Sequence, residues 1–252
     1  MKRNVVLSLL VIFLLSFSIS GMAADFVVEG GFLYTTLDYS PNVWGEEVRF
    51  NEIIDDFFAD SGIEVNSFNK ISDIDSATGY YIGVATYVAD FNVGVNYERF
   101  SADESGFVEF VHNPSPVKAE AFSELDISGF ILNVGRPINE YLSWNIGVGR
   151  YSGTLDEKLI TDDGFMQKHE VNVDSDFGYK IGLSLEYAFN NNWSLMANTN
   201  YRMLGLDYEI DKIITPNEEI DSTELDSELR DLFSGDIDLD GFEITAGLSY
   251  SF

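Results

Sequence analysis

Alternation with a period of two runs through most of this chain. Between Phe177 and Phe189 one face carries Phe177, Tyr179, Ile181, Leu183, Leu185, Tyr187 and Phe189. The other face carries Gly178, Lys180, Gly182, Ser184, Glu186 and Ala188. A strand sends successive side chains to opposite sides, so the pattern predicts a strand with one large apolar face and one small or polar face. Asn190-Asn191-Asn192 follows as a turn signal. The alternation then resumes with Trp193, Leu195, Ala197, Thr199, Tyr201 and Met203 against Ser194, Met196, Asn198, Asn200 and Arg202. Together the two segments predict a hairpin.

The same pattern predicts six further strands. Phe26 to Leu37 is the first. Ile82 to Val88 and Phe91 to Glu98 are joined by Ala89-Asp90. Leu125 to Arg136 and Tyr141 to Arg150 are joined by a turn over Pro137 to Glu140, although Ile127 and Ile131 disturb the alternation of the first. Phe242 to Phe252 closes the set. Eight strands result, and their connections are asymmetric. Tight turns join alternate pairs. Long segments, Tyr39 to Thr78, Ser101 to Glu124, Tyr151 to Asp176 and Leu206 to Asp240, join the others. Short turns at one end and long loops at the other is the layout of a barrel in an outer membrane.

The N-terminus supports export. Lys2 and Arg3 precede an apolar run from Val5 to Leu15, and Gly21-Met22-Ala23-Ala24 offers small residues for cleavage. Residues 1–24 therefore read as a signal peptide, and residues 25–252 as one barrel domain. No later stretch has the roughly 18 apolar residues of a spanning helix. There is no cysteine, so no disulfide braces the exported chain. The formal charge of −29 becomes −31 once Lys2 and Arg3 leave with the signal. Such a surface repels nucleic acid and suits cations, with divalent cations on the acidic loops as expected companions.

Alternation alone also fits a soluble barrel with its large apolar face turned inward. Three features favour lipid. The small face is rich in Gly, Ser and Asn, as a narrow eight-strand lumen demands. Aromatic residues gather near the tight turns: Phe91, Tyr141, Trp144, Tyr187, Phe189, Trp193, Tyr250 and Phe252. They would form a girdle at one interface. Finally, the last strand carries an aromatic at its end.

Gly247-Leu248-Ser249-Tyr250-Ser251-Phe252 resembles the C-terminal assembly signal of bacterial outer-membrane proteins. With eight strands, the chain resembles the OmpA-like, OmpX-like and OmpW-like small barrels over its whole mature length. The resemblance implies an all-β, eight-stranded, antiparallel up-and-down transmembrane barrel in the bacterial outer membrane. It implies Tyr250 and Phe252 as the signal read by the insertion machinery, and outer-membrane lipids as surroundings. It does not imply the peptidoglycan-binding role of OmpA, because no such domain follows the last strand.

Glu29, Glu98, Lys180, Glu186, Arg202 and Glu243 all fall on the inward face. A charge withheld from water needs a partner, so Lys180 and Arg202 are expected to pair with Glu186, Glu243 and Glu29. The loops are expected to hold short helices. Phe50, Ile53, Ile54, Phe57 and Phe58 recur at helical spacing, as do Leu225, Leu229, Leu232 and Phe233, with Asp221 and Glu224 as a capping pair and Gly235 as a stop. Asp236 to Gly241 opens like a Ca²⁺ loop, but Gly247 stands where its last glutamate belongs. His112 and His169 are both expected in exposed loops, and neither has the spacing of a catalytic triad. No catalytic residue, cofactor or dedicated metal site is expected. The reading is a non-enzymatic barrel with a structural or surface-interaction role. The alternatives are a small porin-like or OmpW-like channel and, behind it, a lipid-modifying or proteolytic enzyme.

Overall fold

The computed structural model describes residues 26–40, 65–112, 115–162, 166–225 and 234–252. Twelve strands form: β1 (Phe26–Tyr39), β2 (Val65–Asn69), β3 (Ile74–Val88), β4 (Phe91–His112), β5 (Ser115–Pro137), β6 (Leu142–Thr161), β7 (Met166–Ala188), β8 (Trp193–Met203), β9 (Gly205–Ile214), β10 (Glu219–Asp221), β11 (Gly235–Asp238) and β12 (Gly241–Ser251). Eight of them close a ring. β1 pairs with β3, and β3 through β8 pair in turn, skipping none; β8 pairs with β12, and β12 returns to β1. Every pairing is antiparallel, and closure leaves no free edge at the level of the ring. Among the described residues no helix is long and apolar enough to cross a membrane.

The tight turns stand where the sequence places them. Val88 pairs with Phe91 across Ala89-Asp90, and Ala89 takes the left-handed conformation, φ 54°, which suits the twist of a short hairpin. Asn139 and Asn190 each accept two backbone N–H bonds through their side-chain oxygens and so close the other two turns.

The outer surface has three zones. Nearest the turns lie Phe91, Tyr141, Tyr187, Phe189, Trp193 and Phe252, all exposed. Tyr250 stacks edge-on with both Trp193 and Phe252 there, at 4.9 and 4.8 Å between ring centres. An exposed aliphatic band follows, with Ile82, Leu132, Ile146, Ile181, Leu183, Leu195, Ile244 and Leu248. Beyond it stands a second ring that the sequence reading did not identify: Phe32, Tyr34, Tyr80, Phe130, Phe177, Tyr179, Tyr201 and Phe242. Two aromatic girdles around an aliphatic band are the profile of a membrane-spanning barrel.

The strands do not stop at the second girdle. β4 to β7 run for 22, 23, 20 and 23 residues, about twice the 9–11 that lipid needs. At about 3.4 Å per residue, the stretch from Ser101 to His112 carries the wall on the order of 40 Å further along the strand direction. Two of the expected loops, Ser101 to Glu124 and Tyr151 to Asp176, are therefore corrected to continuous hairpin strands. Much of Leu206 to Asp240 is strand too, since β9 pairs with β7, β10 and β11. β2 adds to β4 within the first long segment. The physical reason is a reversal of faces. Above the lipid the outer side meets water, so the apolar residues must turn inward. Leu125 and Ile127, the second of which disturbs the sequence pattern, are inward and fully buried, whereas Ile131, between the outward Phe130 and Leu132, is inward within the span itself. On β7 a bulge opposite Tyr151–Gly153 reverses the strand: Phe177 and Tyr179 face out, while Val171 and Val173 face in.

The expected loop helices are not found among the described residues. The stretch holding Phe50 to Phe58 lies outside them, as do Leu229, Leu232 and Phe233. Asp221 does cap a turn, accepting from Thr223 N at 3.0 Å, but the turn is a single 3₁₀ turn, Ser222–Glu224. Gly235, expected as a helix stop, begins β11.

Candidate functional site

The lumen is filled in layers. Its middle layer holds the charges. Glu98 on β4, Lys180 on β7, Arg202 on β8 and Glu243 on β12 are each no more than 4% exposed. Lys180 Nζ lies between two carboxylates, donating to Glu98 Oε2 at 2.5 Å and to Glu243 Oε2. Tyr151 Oη donates to the other Glu98 oxygen at 2.8 Å, and Asn200 Nδ2 to the other Glu243 oxygen at 3.0 Å. Arg202 Nη1 stands 3.7 Å from Glu243, while its Nε and Nη2 donate to the Leu239 carbonyl at 3.1 and 3.0 Å. Its guanidinium also lies over the Phe100 ring, 4.4 Å from the centre. Two cations and two carboxylates balance in charge and each carboxylate accepts two hydrogen bonds, while Arg202 Nη1 has no hydrogen-bond partner.

Four of the six inward charges named from sequence meet here, and two do not. Lys180 and Arg202 are register partners, and Arg202 lies beside Gly241, two residues from Glu243. Glu186 is six residues along β7 from Lys180, on the order of 20 Å at the rise of a strand, so the expected pairing with it is corrected. Glu29 likewise lies toward the turns, opposite Ser249. Glu98 takes their place, reaching across the lumen from β4, three strands away from β7. Tyr151 escaped sequence reading because it lies in a segment read as a loop. Its signal was present: it continues the inward positions Asn145, Gly147 and Gly149. Gly129 and Gly178 make room for its ring, since a Cβ on either would lie 2.6 or 2.8 Å from it.

Above the charges is an apolar plug that includes Phe100, Leu125, Ile127, Leu155, Leu204, Leu206, Ile237 and Leu239. A second polar layer lies higher still. Ser123, Glu157 and His169 stand side by side on β5, β6 and β7, and each is at most 4% exposed. Tyr39 Oη donates to Glu157 at 3.1 Å, and Gln167 lies 2.7 Å from His169 Nε2. The exposed loop histidine expected at 169 is thus a buried strand residue, turned inward with Val171 and Val173. The row carries serine, histidine and an acid, but Glu157 sits between the other two. A triad needs histidine in the middle, between nucleophile and acid. His112 ends β4 at its pairing with Ser115.

Below the charges the lumen widens into a vestibule of about 160 Å³ lined by Glu29, Asn92, Asn96, Asn133, Asn145, Glu186, Asn198 and Asn200, among others. Tyr141 and Leu142 of a tight turn also line it, which places its mouth at the turn end.

The Asp236–Gly241 segment is extended, not wound about a cation. Asp238 accepts from Asp240 N at 2.8 Å, and Asp240 accepts from Leu204 N at 2.6 Å. Among the described residues no group of three or more acidic, histidine or cysteine side chains is arranged to hold a metal. Outside the membrane span, Asp207 and Asp236 face each other in register on β9 and β11. The hydrogen bond with Asp236, and then its charge, holds the Asp207 carboxyl above its usual range. A carboxyl that keeps its proton more tightly when folded favours the fold in acid, and that benefit is lost as pH rises through the folded pKa. Asp236→Asn is therefore expected to slow amide hydrogen exchange along β9 and β11 at neutral pH and to change little in acid. Equal exchange of the two proteins at neutral pH would refute this coupling.

No protein-family model matches the chain, and no curated protein does. Solved structures do. OprG from Pseudomonas aeruginosa is 14% identical, with 91% of this chain and 96% of that one covered and a TM-score of 0.42. Neisserial surface protein A is 12% identical, with 92% and 100% covered and a TM-score of 0.39. Ail of Yersinia pestis is 12% identical, with 92% and 100% covered and a TM-score of 0.38. No shared role follows from likenesses at this level.

Proposed function

We propose that this chain is an integral outer-membrane barrel with a shut lumen, and that it acts through the acidic sheet standing above the membrane. The observation that carries this reading is Lys180 held between Glu98 and Glu243 directly beneath the apolar plug. A solute would have to break buried ion pairs and then displace close-packed side chains. The projecting wall turns carboxylates to water, among them Asp103, Glu124, Asp174, Asp176, Asp207, Glu209 and Asp236. That surface suits basic or cation-bridged partners, and residues on a rigid scaffold are well placed for recognition. The role is non-enzymatic: the one histidine whose side chain is described lies buried beside an acid that separates it from serine.

The channel reading draws support from the vestibule, which ends at Asn200, itself bonded into the charge layer. Planar bilayers distinguish the two. The refolded protein is expected to give no stepwise conductance, although it inserts and shows heat-modifiable mobility on gels. Regular steps from the unaltered protein would replace this proposal with the channel.

A further inference from the structure

We propose that Arg150 binds the phosphate of an outer-leaflet lipid headgroup at the level of the second aromatic girdle. The assignment goes beyond the shut-lumen reading and holds whether or not the lumen conducts. β1, β3, β4, β5, β7, β8 and β12 each place a phenylalanine or tyrosine in that girdle. β6 places Arg150 there instead, exposed and paired in register with Phe130 on one side and Phe177 on the other. The girdle lies between the aliphatic band and the projecting wall, and lipid headgroups stand at such a boundary. A cation in this row therefore faces headgroups.

The guanidinium is set for a two-pronged anion. The bulge on β7 puts Asp174 and Ser175 opposite Ser152, and Ser175 is exposed beside Arg150. Ser175 Oγ accepts from Arg150 Nε at 3.1 Å and from Nη2 at 2.6 Å. That contact orients one edge of the fork and leaves the edge between Nη1 and Nη2, which can grip two phosphate oxygens at once. Among the described residues no carboxylate lies within 4 Å of Arg150, although the chain carries 43 acidic residues. Arg99 on β4 is by contrast committed to Asp126, its Nε donating at 2.8 Å. Ser152 follows Arg150 on the outer face of β6, and Ser128 stands opposite it on β5, so two more hydroxyls are near to donate. Asp174 and Asp176 flank Ser175 and disfavour an anion arriving from bulk water. A phosphate already held at this height by its acyl chains has a high effective concentration and is favoured. The chemistry points to the lipid and not to free phosphate.

Native mass spectrometry of the refolded full chain, released from neutral maltoside micelles, tests the assignment. Dimyristoyl phosphatidic acid is compared with dimyristoyl glycerol, which lacks only the phosphate. The unaltered protein is expected to retain the phosphatidic acid about tenfold or more tightly, the size of a charge-assisted hydrogen bond. Arg150→Gln should abolish that preference and leave the weak retention of the glycerol lipid as it was. Arg150→Lys keeps the charge but loses the fork, and should fall between the two. Arg136→Gln, in the girdle at the turn end and beside Asp90, should change nothing. Inorganic phosphate at the same concentration should not displace the lipid. Arg150 is exposed, so its variants should keep their heat-modifiable mobility; if the glutamine variant loses it, the unaltered protein and Arg150→Lys decide. An arginine that only anchors the barrel at the interface predicts equal retention of the two lipids. Equal retention, an Arg150→Gln protein that keeps the preference, or displacement by inorganic phosphate overturns the proposal.

Discussion

Replacing Lys180 by methionine is expected to destabilise the barrel by about 3–5 kcal/mol, the usual cost of breaking a buried ion pair from one side. Methionine keeps the length and the packing of the side chain, so the loss isolates the charge. Glu98 would keep Tyr151 as a donor but lose its only cation within 4 Å among the described residues. Glu243 would keep Asn200 and the more distant Arg202. Glu98 is therefore the more stranded of the two, and Lys180→Met with Glu98→Gln should recover a large share of the loss. Equilibrium unfolding by urea in micelles measures both. A Lys180→Met barrel that unfolds with the unaltered protein, or a double variant no better than the single one, would remove the network from the account. The matching change at Arg202 tests a different contact, because two of its donors serve the Leu239 carbonyl between β11 and β12.

The plug carries the second large effect. Leu125 is fully buried and pairs in register with Leu155, itself 1% exposed. Leu125→Ala should cost about 2–5 kcal/mol, since removing a packed side chain loses transfer free energy and leaves a cavity. Leu183→Ala is the comparison, because Leu183 lies on the lipid-facing band and is 43% exposed. Detergent or lipid tails fill the space a truncated outward residue leaves, so this change should cost clearly less. Equal losses would mean that the plug is not a close-packed core, and the shut lumen would lose its principal support. Leu125→Ala joined to Lys180→Met should also produce leak currents that neither change produces alone, if the two layers close the lumen in series.

The period-two pattern determined the antiparallel barrel, its eight strands, its three tight turns and the inward position of all six charges. It could do so because lipid imposes one rule on every strand within its thickness, apolar outward and small or polar inward, so each segment carries the same signal. The same rule hid the upper half. Beyond Asp176, Ser101 and Tyr151 the solvent on the outer face changes from lipid to water, and the apolar face must change sides. β4, β5 and β6 do this by changing residue type at fixed positions, and β7 does it with a bulge. Read as sequence, both devices look like the end of a strand, and so the projecting wall looked like loops and His169 looked exposed.

Which charges meet was decided by tertiary structure alone. Alternation tells which side of the wall a residue occupies, but not its height along the barrel or what lies across from it. Height follows from the register and shear of the strands, which put Glu186 and Glu29 in the vestibule and Glu98 within reach of Lys180 from three strands away. Asn200 meets Glu243, and Ser123, Glu157 and His169 line up, through the register of neighbouring strands, while Tyr151 reaches Glu98 over Gly129. No local spacing encodes such contacts, because they depend on the pairing of strands far apart in sequence.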